Sequence, residues 1–341
     1  MRRPFVLGLC FLLLSSALLA QIPLPTQVIP IAGKTKGGSG TDWITDLAIA
    51  NLSSVSGTVG VHYFPSGPAN TFNGTFSKTF ALQAGHSVFV KDVVGSWFPQ
   101  FGSSTNGFLM IADVSTAANC AAEDPPTMLL VATSRTYNNA DPSKTYGQTV
   151  SDAVWRLNFT RQPSVIVGVR HQPGVVPGFR TNVGVVNLSS AAISVRGTAY
   201  DDGGRNVGSG VKSVPAGSVL QWSLSEFGVP SLASGRVEFT AESGVTVDPC
   251  NQADDPPACL DPCEAGCSGK YGFSSSAAFI AWASKIDNGS GDAEFLLSSV
   301  DWMGYNATCE AAGAPPMVKL MQKFGFGPPA SLTIRKLPRK K

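Results

Sequence analysis

Short runs of apolar residues, each bounded by Gly, Pro, Asn or Ser, recur along most of this 341-residue chain. Residues 59–64, 88–90 and 129–131 are examples, rich in β-branched and aromatic side chains. Runs of this composition, separated by turn residues at intervals of roughly ten residues, predict β-strands. Long helical periodicity is absent from the sequence, and one short helix is predicted near residues 317–324. The pattern therefore predicts an all-β protein built from β-sandwiches.

The sequence also contains an internal repeat. Residues 45–54 (TDLAIANLSS) return as residues 181–190 (TNVGVVNLSS), an offset of 136 positions. Three further pairs of segments follow in the same order: Ala84-Gly85 with Ala216-Gly217, residues 107–111 with 235–239, and residues 132–135 with 282–285. Because the order is kept, the repeat indicates duplication of a whole unit. We predict two tandem β-sandwich domains, at residues 21–152 and 153–302, joined by a linker at 151–163 that few contacts cross, and a tail at 303–341.

These repeated residues carry a resemblance to a known type of protein. A Thr followed by Asp or Asn, an Asn that ends the strand, an Ala-Gly turn and a late Ala, Ser and basic residue occur in both units. The order resembles a repeat of exported, mostly uncharacterised bacterial proteins with immunoglobulin-like β-sandwiches. The resemblance covers most of the chain and implies an extracellular, non-catalytic module. It offers no catalytic residues to transfer.

The N-terminus is typical of a secretory signal peptide. Arg2 and Arg3 precede a nearly continuous apolar stretch that ends at Ala20, so we predict a signal at residues 1–20. A lipoprotein signal is the disfavoured alternative, because Cys10 lies inside the apolar stretch and follows the bulky Leu9. No later segment approaches the ~18 apolar residues of a membrane-spanning helix. We therefore expect a secreted or cell-surface protein without a membrane span.

The amino-acid composition excludes some classes of protein. Charged residues make up only 14 % of the chain, against about 25 % in an average protein, which argues against a nucleic-acid binder and a charge-rich disordered chain. Apolar residues make up 43 %, enough for a sizeable core. Five basic residues crowd the C-terminus at 335–341, and we interpret them as a solvated end because no aromatic residues lie between them.

Six cysteines remain once Cys10 is removed with the signal: Cys120, Cys250, Cys259, Cys263, Cys267 and Cys309. An even number in an exported chain predicts disulfides. Four of them lie in an acidic loop at 248–267, which resembles an expanded version of the Cys120 segment. If these four pair among themselves, Cys120 is left to pair with Cys309. Zinc or calcium binding is less favoured, because the spacing lacks paired Cys-x₂-Cys motifs and alternating oxygen ligands.

The sequence offers little that predicts catalysis, and we expect no enzyme, no cofactor and no metal site. Gly33-Lys34-Thr35 lacks the earlier glycine of a phosphate-binding loop. The three histidines, His62, His86 and His171, lie outside any known catalytic motif. A glycosidase that uses two carboxylates stays the alternative, since such a pair needs no sequence motif.

Possible ligand contacts are of two kinds. Trp43 and Trp97 lie near predicted loops and could form a sugar-stacking platform, whereas Trp222 and Trp282 lie in predicted strands and are expected in the core. Asp254 and Asp255 lie in the cysteine-rich loop, which we expect to project as a contact surface. Six Asn residues fit glycosylation motifs: Asn51, Asn73, Asn158, Asn187, Asn288 and Asn306. We interpret Asn51 and Asn187 as closing Asx-turns, since both end equivalent strands.

Together these features favour a secreted, non-catalytic structural or adhesive module that presents loops to an extracellular protein or glycan. The alternative is a carbohydrate-binding module or a glycan hydrolase. The sequence identifies neither the partner nor the oligomeric state.

Overall fold

The computed structural model describes residues 26–37, 40–117, 128–141, 145–158, 162–243, 273 and 277–300. The predicted signal peptide, the predicted tail and the predicted helix near 317–324 lie outside the described residues. So do all six candidate disulfide cysteines and both Asp254 and Asp255.

The first unit comprises eight strands and two short helices within the described ranges. They are β1 (Thr26–Lys36), β2 (Asp42–Asn51), β3 (Gly57–Pro65), β4 (Lys78–Leu82), β5 (Ser87–Val90), α1 (Val93–Trp97), β6 (Thr105–Asp113), α2 (Val114–Ala117), β7 (Leu130–Asn138) and β8 (Gly147–Ser151). A 3-10 helix, Pro99–Phe101, follows α1, and another, Val154–Arg156, lies between the two units.

The second unit comprises nine strands within the described residues. They are β9 (Ser164–His171), β10 (Phe179–Asn187), β11 (Ile193–Asp201), β12 (Asn206–Val214), β13 (Val219–Ser223), β14 (Leu232–Ser243), β15 (Phe279–Asp287), β16 (Ala293–Leu297) and β17 (Ser299–Val300). A 3-10 helix, Leu224–Phe227, follows β13. The strand pairs of both units are antiparallel, and the prediction of an all-β protein is confirmed.

In the first unit, strand β1 belongs to both halves of a folded sheet of order β4-β3-β6-β1-β2-β7-β8. Its N-terminal part pairs with β6 and its C-terminal end pairs with β2, while β5 also pairs with β2. Leu47 and Ile49 of β2 and Leu109 and Ile111 of β6 meet in a buried core between the two halves. The side chains on the opposite face of each strand therefore point away from this core.

The second unit repeats these pairings in two sheets, of orders β13-β10-β15-β16 and β12-β11-β14-β9-β17. Strand β10 lies between β13 and β15 just as β2 lies between β5 and β7. Strand β14 lies between β9 and β11 just as β6 lies between β1 and β3. A second buried core lies between these sheets, with Val183, Val185, Val237 and Phe239 among its members. The shared pairing order supports duplication of the whole unit.

The pairing of residues 132–135 with residues 282–285, predicted from the sequence, is wrong by one residue. Asp46 faces Arg135 across β2 and β7, whereas its counterpart Asn182 faces Ser284 across β10 and β15. Ser284, and not Lys285, therefore holds the position of Arg135. Because side chains alternate between faces, this shift exchanges inward and outward positions along β15.

The two units share a third apolar cluster, here called the shared apolar layer. The first unit contributes Val28, Phe64, Phe76, Phe108, Met110 and Ala112, the connecting segment contributes Ala153 and Leu157, and the second unit contributes Val186, Leu188, Val219, Ala278, Ile280 and Trp282. Phe64 and Phe108 stack with their ring centroids 4.5 Å apart. The outer face of β3, β6 and β1 thus packs on the outer face of β13, β10 and β15.

This layer corrects the expectation that few contacts cross the linker. The connecting segment is itself buried at Ala153 and Asn158, and Asn158 exchanges backbone hydrogen bonds with Phe279 of the second unit at 2.7 and 2.8 Å. Polar contacts also cross directly, since Ser66 Oγ donates to the Val219 carbonyl at 2.6 Å. The physical reason is that both facing sheets carry apolar side chains on their outer as well as their inner faces, and the outer ones are removed from water only by docking.

A close approach at the centre of the layer requires glycine. Gly184 lies directly opposite Trp282 in the β10–β15 ladder, and a Cβ at Gly184 would lie 2.3 Å from the indole Cε2 and Cζ2 atoms. Ala48 and Thr133 form the equivalent pair in the first unit. The prediction that Trp282 lies in the core is confirmed, and Trp222 packs against the second core while partly exposed.

We expect the shared apolar layer to couple the stabilities of the two units. Phe108→Ala should lower the free energy of unfolding by about 3–5 kcal/mol, the usual cost of removing a buried Phe ring. It should also speed amide hydrogen exchange in β10 as well as in β2. Val211→Ala, at a well-exposed position, is the control and should change neither. Faster exchange confined to the first unit would contradict the coupling.

Candidate functional site

The buried acid and base side chains are the strongest candidates for a chemically reactive site. Among the described Asp, Glu and His residues, three are buried: Asp113, Asp152 and His171. Burial of an ionisable group is costly unless hydrogen bonds satisfy it, so such groups are either functional or structural. Their partners decide between the two.

Asp113 joins the two ends of the segment that contains Cys120. Its Oδ1 accepts the Ser115 N–H at 2.9 Å and its Oδ2 accepts the Met128 N–H at 2.8 Å. Residues 118–127 connect these ends and lie outside the described part of the chain. The carboxylate therefore holds the base of this connection, which is a structural task.

Asp152 ties the connecting segment to the first strand. Its Oδ1 accepts the Val28 N–H at 2.6 Å and the Val154 N–H at 3.1 Å. Val28 belongs to the shared apolar layer, so the carboxyl group lies at the edge of the contact between the units. Burial raises the pKa of Asp152 to about 7, although the backbone N–H bonds act in the opposite direction.

His171 and Ser225 form a pair that superficially resembles a nucleophile and its base. His171 Nε2 lies 2.8 Å from Ser225 Oγ, while Nδ1 accepts the Thr181 N–H at 3.1 Å. An imidazole that accepts at Nδ1 carries its proton on Nε2 and donates it to the hydroxyl. The ring then has no lone pair with which to take the serine proton, the reverse of a catalytic dyad. Burial also lowers the pKa of His171, which keeps the ring neutral.

The first unit contains the counterpart of this contact. Gly107 pairs with Ala32 and its repeat equivalent Gly235 pairs with Val169, which places Lys34 at the position of His171. Lys34 forms an ion pair with Asp92, which caps α1 by accepting the Gly95 N–H at 3.0 Å. In both units a polar side chain of the first strand thus reaches the helical turn that follows the fifth strand. This recurrence marks the contact as part of the fold.

The Asx-turn interpretation of the repeated asparagines is confirmed. Asn51 Oδ1 accepts the Ser53 N–H at 3.1 Å, and Asn187 Oδ1 accepts the Ser189 N–H at 2.8 Å. Both side chains are buried, as is that of Asn158, so none of the three is accessible for glycosylation. Among the glycosylation motifs that the structure describes, Asn73 is exposed.

The two tryptophans predicted as ligand contacts occupy different environments. Trp97, in α1, packs against the first core beside Phe80, with ring centroids 5.5 Å apart. Trp43 lies at the start of β2, where its indole Nε1 donates to Thr41 at 3.1 Å and its ring meets the edge of Tyr146 at 5.7 Å. The structure does not bring Trp43 and Trp97 together. Trp43, beside a second aromatic ring near the β1–β2 and β7–β8 turns, is the better placed of the two for a ligand.

A shallow open hollow of about 330 Å³ lies at the tip of the β11–β12 hairpin. Asp201, Asp202 and Arg205 line one side and residues 231–234 line the other. Hydrogen bonding from the Arg205 backbone N–H lowers the pKa of Asp201, and the Arg205 side chain pairs with the same carboxylate. Sequence analysis did not single out this hairpin, because its Asp-Asp-Gly-Gly composition is that of an ordinary turn.

Two further properties concern the described residues only. No helix in them is long and apolar enough to cross a membrane. Nor do three or more His, Cys, Asp or Glu side chains in them converge as ligands for a metal ion.

Comparison with known proteins leaves the family open. No family model matches the sequence, and no curated protein matches it. Among solved structures, the 11S allergen of Cocos nucifera is similar at 9 % identity over 89 % of this chain and 83 % of that chain, with a TM-score of 0.20. Procruciferin, an 11S globulin of Brassica napus, has 7 % identity, coverage of 80 % and 85 %, and a TM-score of 0.18. A deletion mutant of Bacillus subtilis oxalate decarboxylase has 8 % identity, coverage of 92 % and 76 %, and a TM-score of 0.17. Scores this low support neither a shared fold nor a shared activity.

The raised pKa of Asp152 predicts a pH-dependent stability. The folded state keeps the proton up to about pH 7, whereas the ordinary value is 3.8. The folded state therefore binds more protons between these values, and its stability should fall as the pH rises through this range. Thermal unfolding from pH 4 to 8 should show this fall in the native chain and a weaker one in Asp152→Asn. Asp202→Asn, an exposed control, should keep the native slope; an Asp152→Asn variant that also keeps it would contradict the assignment.

We further expect the His171–Ser225 pair to be chemically inert. A fluorophosphonate probe should leave Ser225 unlabelled, because the neighbouring imidazole donates its proton and cannot accept one. In an NMR titration, His171 should keep the Nε2–H tautomer and titrate below its ordinary value of 6.5. The exposed His86 provides the reference signal in the same spectra. Stoichiometric labelling of Ser225 would refute the structural assignment.

Proposed function

We propose that the protein is an exported, non-catalytic module in which two immunoglobulin-like β-sandwiches act as one rigid support and present loops to an extracellular protein or glycan. The observation that carries the proposal concerns the buried acid and base groups. Asp113, Asp152 and His171 each accept backbone N–H groups and so hold connections and strands together. In the described part of the chain, these groups are engaged in structural contacts.

The positions of the connections also support presentation of loops. The cysteine-rich segment runs between β14 and β15, and the Cys120 segment runs between β6 and β7. These are equivalent connections in the two units, and each passes from one layer of strands to the other. Disulfides within the longer segment, as predicted from the sequence, would stiffen it and lower the entropy lost on binding. The acidic pair Asp254 and Asp255 gives the cysteine-rich segment its negative charge.

A carbohydrate-binding role is the second candidate, and one observation favours it. Trp43 and Tyr146 form an edge-on aromatic pair next to the β1–β2 turn, and Tyr146 also lies near Gly291 of the β15–β16 turn. Aromatic faces near loops are a common platform for sugar rings, because they offer a rigid apolar surface with a polar edge.

The loop hypothesis predicts a charge-dependent partner. Asp254→Asn combined with Asp255→Asn should weaken capture of extracellular partners at least tenfold, because the loop loses two negative charges at the proposed contact. The matched control changes Asp201 and Asp202 to Asn in the described hairpin and should leave capture unchanged. Equal loss in both variants would contradict a specific role of the loop. Turnover of any polysaccharide, ester or peptide by the purified protein would refute the non-catalytic assignment.

The glycan alternative has its own test. On a glycan array, saturable binding should fall at least tenfold in Trp43→Ala, which removes the stacking surface, and should persist in Trp43→Phe, which keeps an aromatic ring. Circular dichroism of each variant checks that the fold is intact. Glycan binding that is unchanged in Trp43→Ala would exclude this platform.

A further inference from the structure

Three Asn-Gly dipeptides lie in the described part of the chain: Asn73-Gly74, Asn106-Gly107 and Asn288-Gly289. Asparagine is one of the thermolabile residues. A following glycine increases its reactivity, because glycine has no Cβ to hinder attack of the next backbone nitrogen on the asparagine amide. The three dipeptides are identical in sequence, so a difference in their reactivity has to come from the structure around them.

Asn73 lies in the connection between β3 and β4, where its side chain closes a turn. Its Oδ1 accepts the Thr75 N–H at 3.0 Å. An Asx-turn of this kind folds the side chain back over the next peptide bond, toward the Gly74 nitrogen. The same hydrogen bond polarises the amide carbonyl and stabilises the negative charge that develops on Oδ1 during attack. Asn73 and Thr75 are both exposed, so water reaches the turn.

The attacking and departing groups at this turn are both free of protein partners. Among the described contacts, none has the Gly74 N–H or Asn73 Nδ2 as a hydrogen-bond donor. Attack therefore breaks no protein hydrogen bond at either group. Gly74 has a φ of +85°, a conformation that glycine adopts readily, so the turn itself favours glycine next to this asparagine.

At Asn288, by contrast, both groups are occupied. Its Nδ2 donates to the carbonyls of Gln172 and Val175, at 2.9 Å each. The N–H of Gly289 donates to Asp287 Oδ1 at 2.7 Å. Attack at this position has to break hydrogen bonds of the nucleophile and of the leaving group, which raises its barrier.

Asn106 is protected by the sheet. Gly107 is buried in β6, opposite Ala32 of β1 on one side and Pro65 of β3 on the other. A nitrogen in a strand that is paired on both sides is held in extended backbone, and it cannot turn toward the preceding side chain without breaking the ladder.

Asn51 shows that an Asx-turn alone is not sufficient. Its Oδ1 accepts the Ser53 N–H in the same way as at Asn73. However, its Nδ2 donates to the Val55 carbonyl at 2.7 Å. The next N–H, of Leu52, donates to the Leu129 carbonyl at 2.8 Å. Among the described asparagines compared here, Asn73 alone combines the turn, the glycine and two free reacting groups.

We propose that Asn73 is a site of spontaneous deamidation, at which the chain converts to aspartate and isoaspartate while Asn106 and Asn288 stay intact. The Gly74 nitrogen loses its proton to solvent and bonds to Cγ of Asn73, which closes a five-membered succinimide ring. Nδ2 takes up a proton and leaves as ammonia. Water then adds to either carbonyl of the ring and opens it, leaving one new carboxylate. The reaction consumes one water and requires no oxidant or reductant.

The change falls on a connection that links the two units. Asn70 of this connection donates its N–H to the Ala216 carbonyl at 2.8 Å and its Nδ2 to the Gly217 carbonyl at 2.9 Å. Further along the connection, the Thr75 carbonyl lies 3.1 Å from His62 Nδ1. Deamidation adds a negative charge between these two anchors, and isoaspartate also adds a methylene group to the backbone. We therefore expect it to loosen the hold of the first unit on the β12–β13 turn.

Peptide mapping by mass spectrometry, after incubation of the full chain at about pH 8 and 37 °C, tests the proposal. The peptide with Asn73 should gain about 1 Da at least tenfold faster than the peptides with Asn106 or Asn288, and part of the product should be isoaspartate. Equal rates at the three positions, or a glycan mass on Asn73, would overturn the proposal.

The same chain unfolded in guanidinium chloride is the matched control. Because the three dipeptides then lack their structural surroundings, their rates should converge to within about threefold. A tenfold preference for Asn73 that persists in the unfolded chain would assign the selectivity to the local sequence and contradict the structural cause.

Two variants test the separate steps, with circular dichroism to establish that each is folded. Asp287→Ala frees the Gly289 N–H and should speed deamidation of Asn288 several-fold without changing the rate at Asn73. An unchanged rate at Asn288 would contradict protection by this hydrogen bond. Asn73→Ser cannot deamidate, yet it keeps an oxygen that can accept the Thr75 N–H.

Hydrogen exchange measures the effect on the contact between the units. In the aged native chain, the Asn70 amide should exchange at least tenfold faster than in the fresh chain, whereas ageing should change nothing in Asn73→Ser. Equal exchange in fresh and fully deamidated protein would refute the loosening. None of these results bears on the loop-presentation function, which rests on other residues.

Discussion

Burial of one aromatic sheet face against another is the interaction on which the rest of the architecture depends. Phe64, Phe108 and Trp282 leave water only because the two units dock. Docking also encloses the chain that connects them, and enclosed backbone amides must find partners. Asp152 and Asn158 provide these partners at the points where the connection touches each unit. The position of the linker residues therefore follows from the apolar contact and not from the linker sequence alone.

The need of enclosed backbone amides for hydrogen-bond partners also explains where the polar side chains are buried. Asn51 and Asn187 satisfy the chain at equivalent strand ends, and Asp113 satisfies both ends of one long connection. An all-β protein with many connections has many such amides to satisfy, and short polar side chains do so at little cost in space. Buried polar groups are consequently common among the described residues, where Asn51, Asn187 and Asp113 each accept backbone N–H groups.

Much of the fold was predictable from the sequence because the repeated segments mark equivalent strands in the two units. The duplicated segment with Asn51 and Asn187 predicted both the equivalent strands and their Asx-turns. The docking of the units was missed, although residues 108–112 and 278–283 are continuous apolar runs, which is the pattern of strands buried on both faces. A single sequence does not say what covers the second face. Residues 282–285 were matched to residues 132–135 one position away from their true equivalents. Ala and Ser are small and similar, so a short segment that contains them does not define the register.

The buried acid and base groups were beyond sequence analysis for a different reason. The Asp152 carboxyl group and the Val28 N–H are 124 positions apart in the chain, and the His171 imidazole and the Thr181 N–H are 10 apart. No local motif encodes contacts of this kind, because the fold alone brings the groups together. The cysteine pairings and the loop with Asp254 and Asp255 stay predictions, since they fall outside the described residues.

The Gly184–Trp282 pair bears on how two identical copies could have diverged. The first unit has Ala48 opposite Thr133 at the same place, and a Cβ opposite the Trp282 indole would overlap it. A copy with tryptophan at this place and alanine opposite it would therefore be strained, whichever of the two pairs the common precursor carried. Substitutions in contact are not independent in their effects on stability. The two residues of each pair are thus coupled, and exchanging only one of them between the copies would bring an alanine Cβ and the indole into overlap.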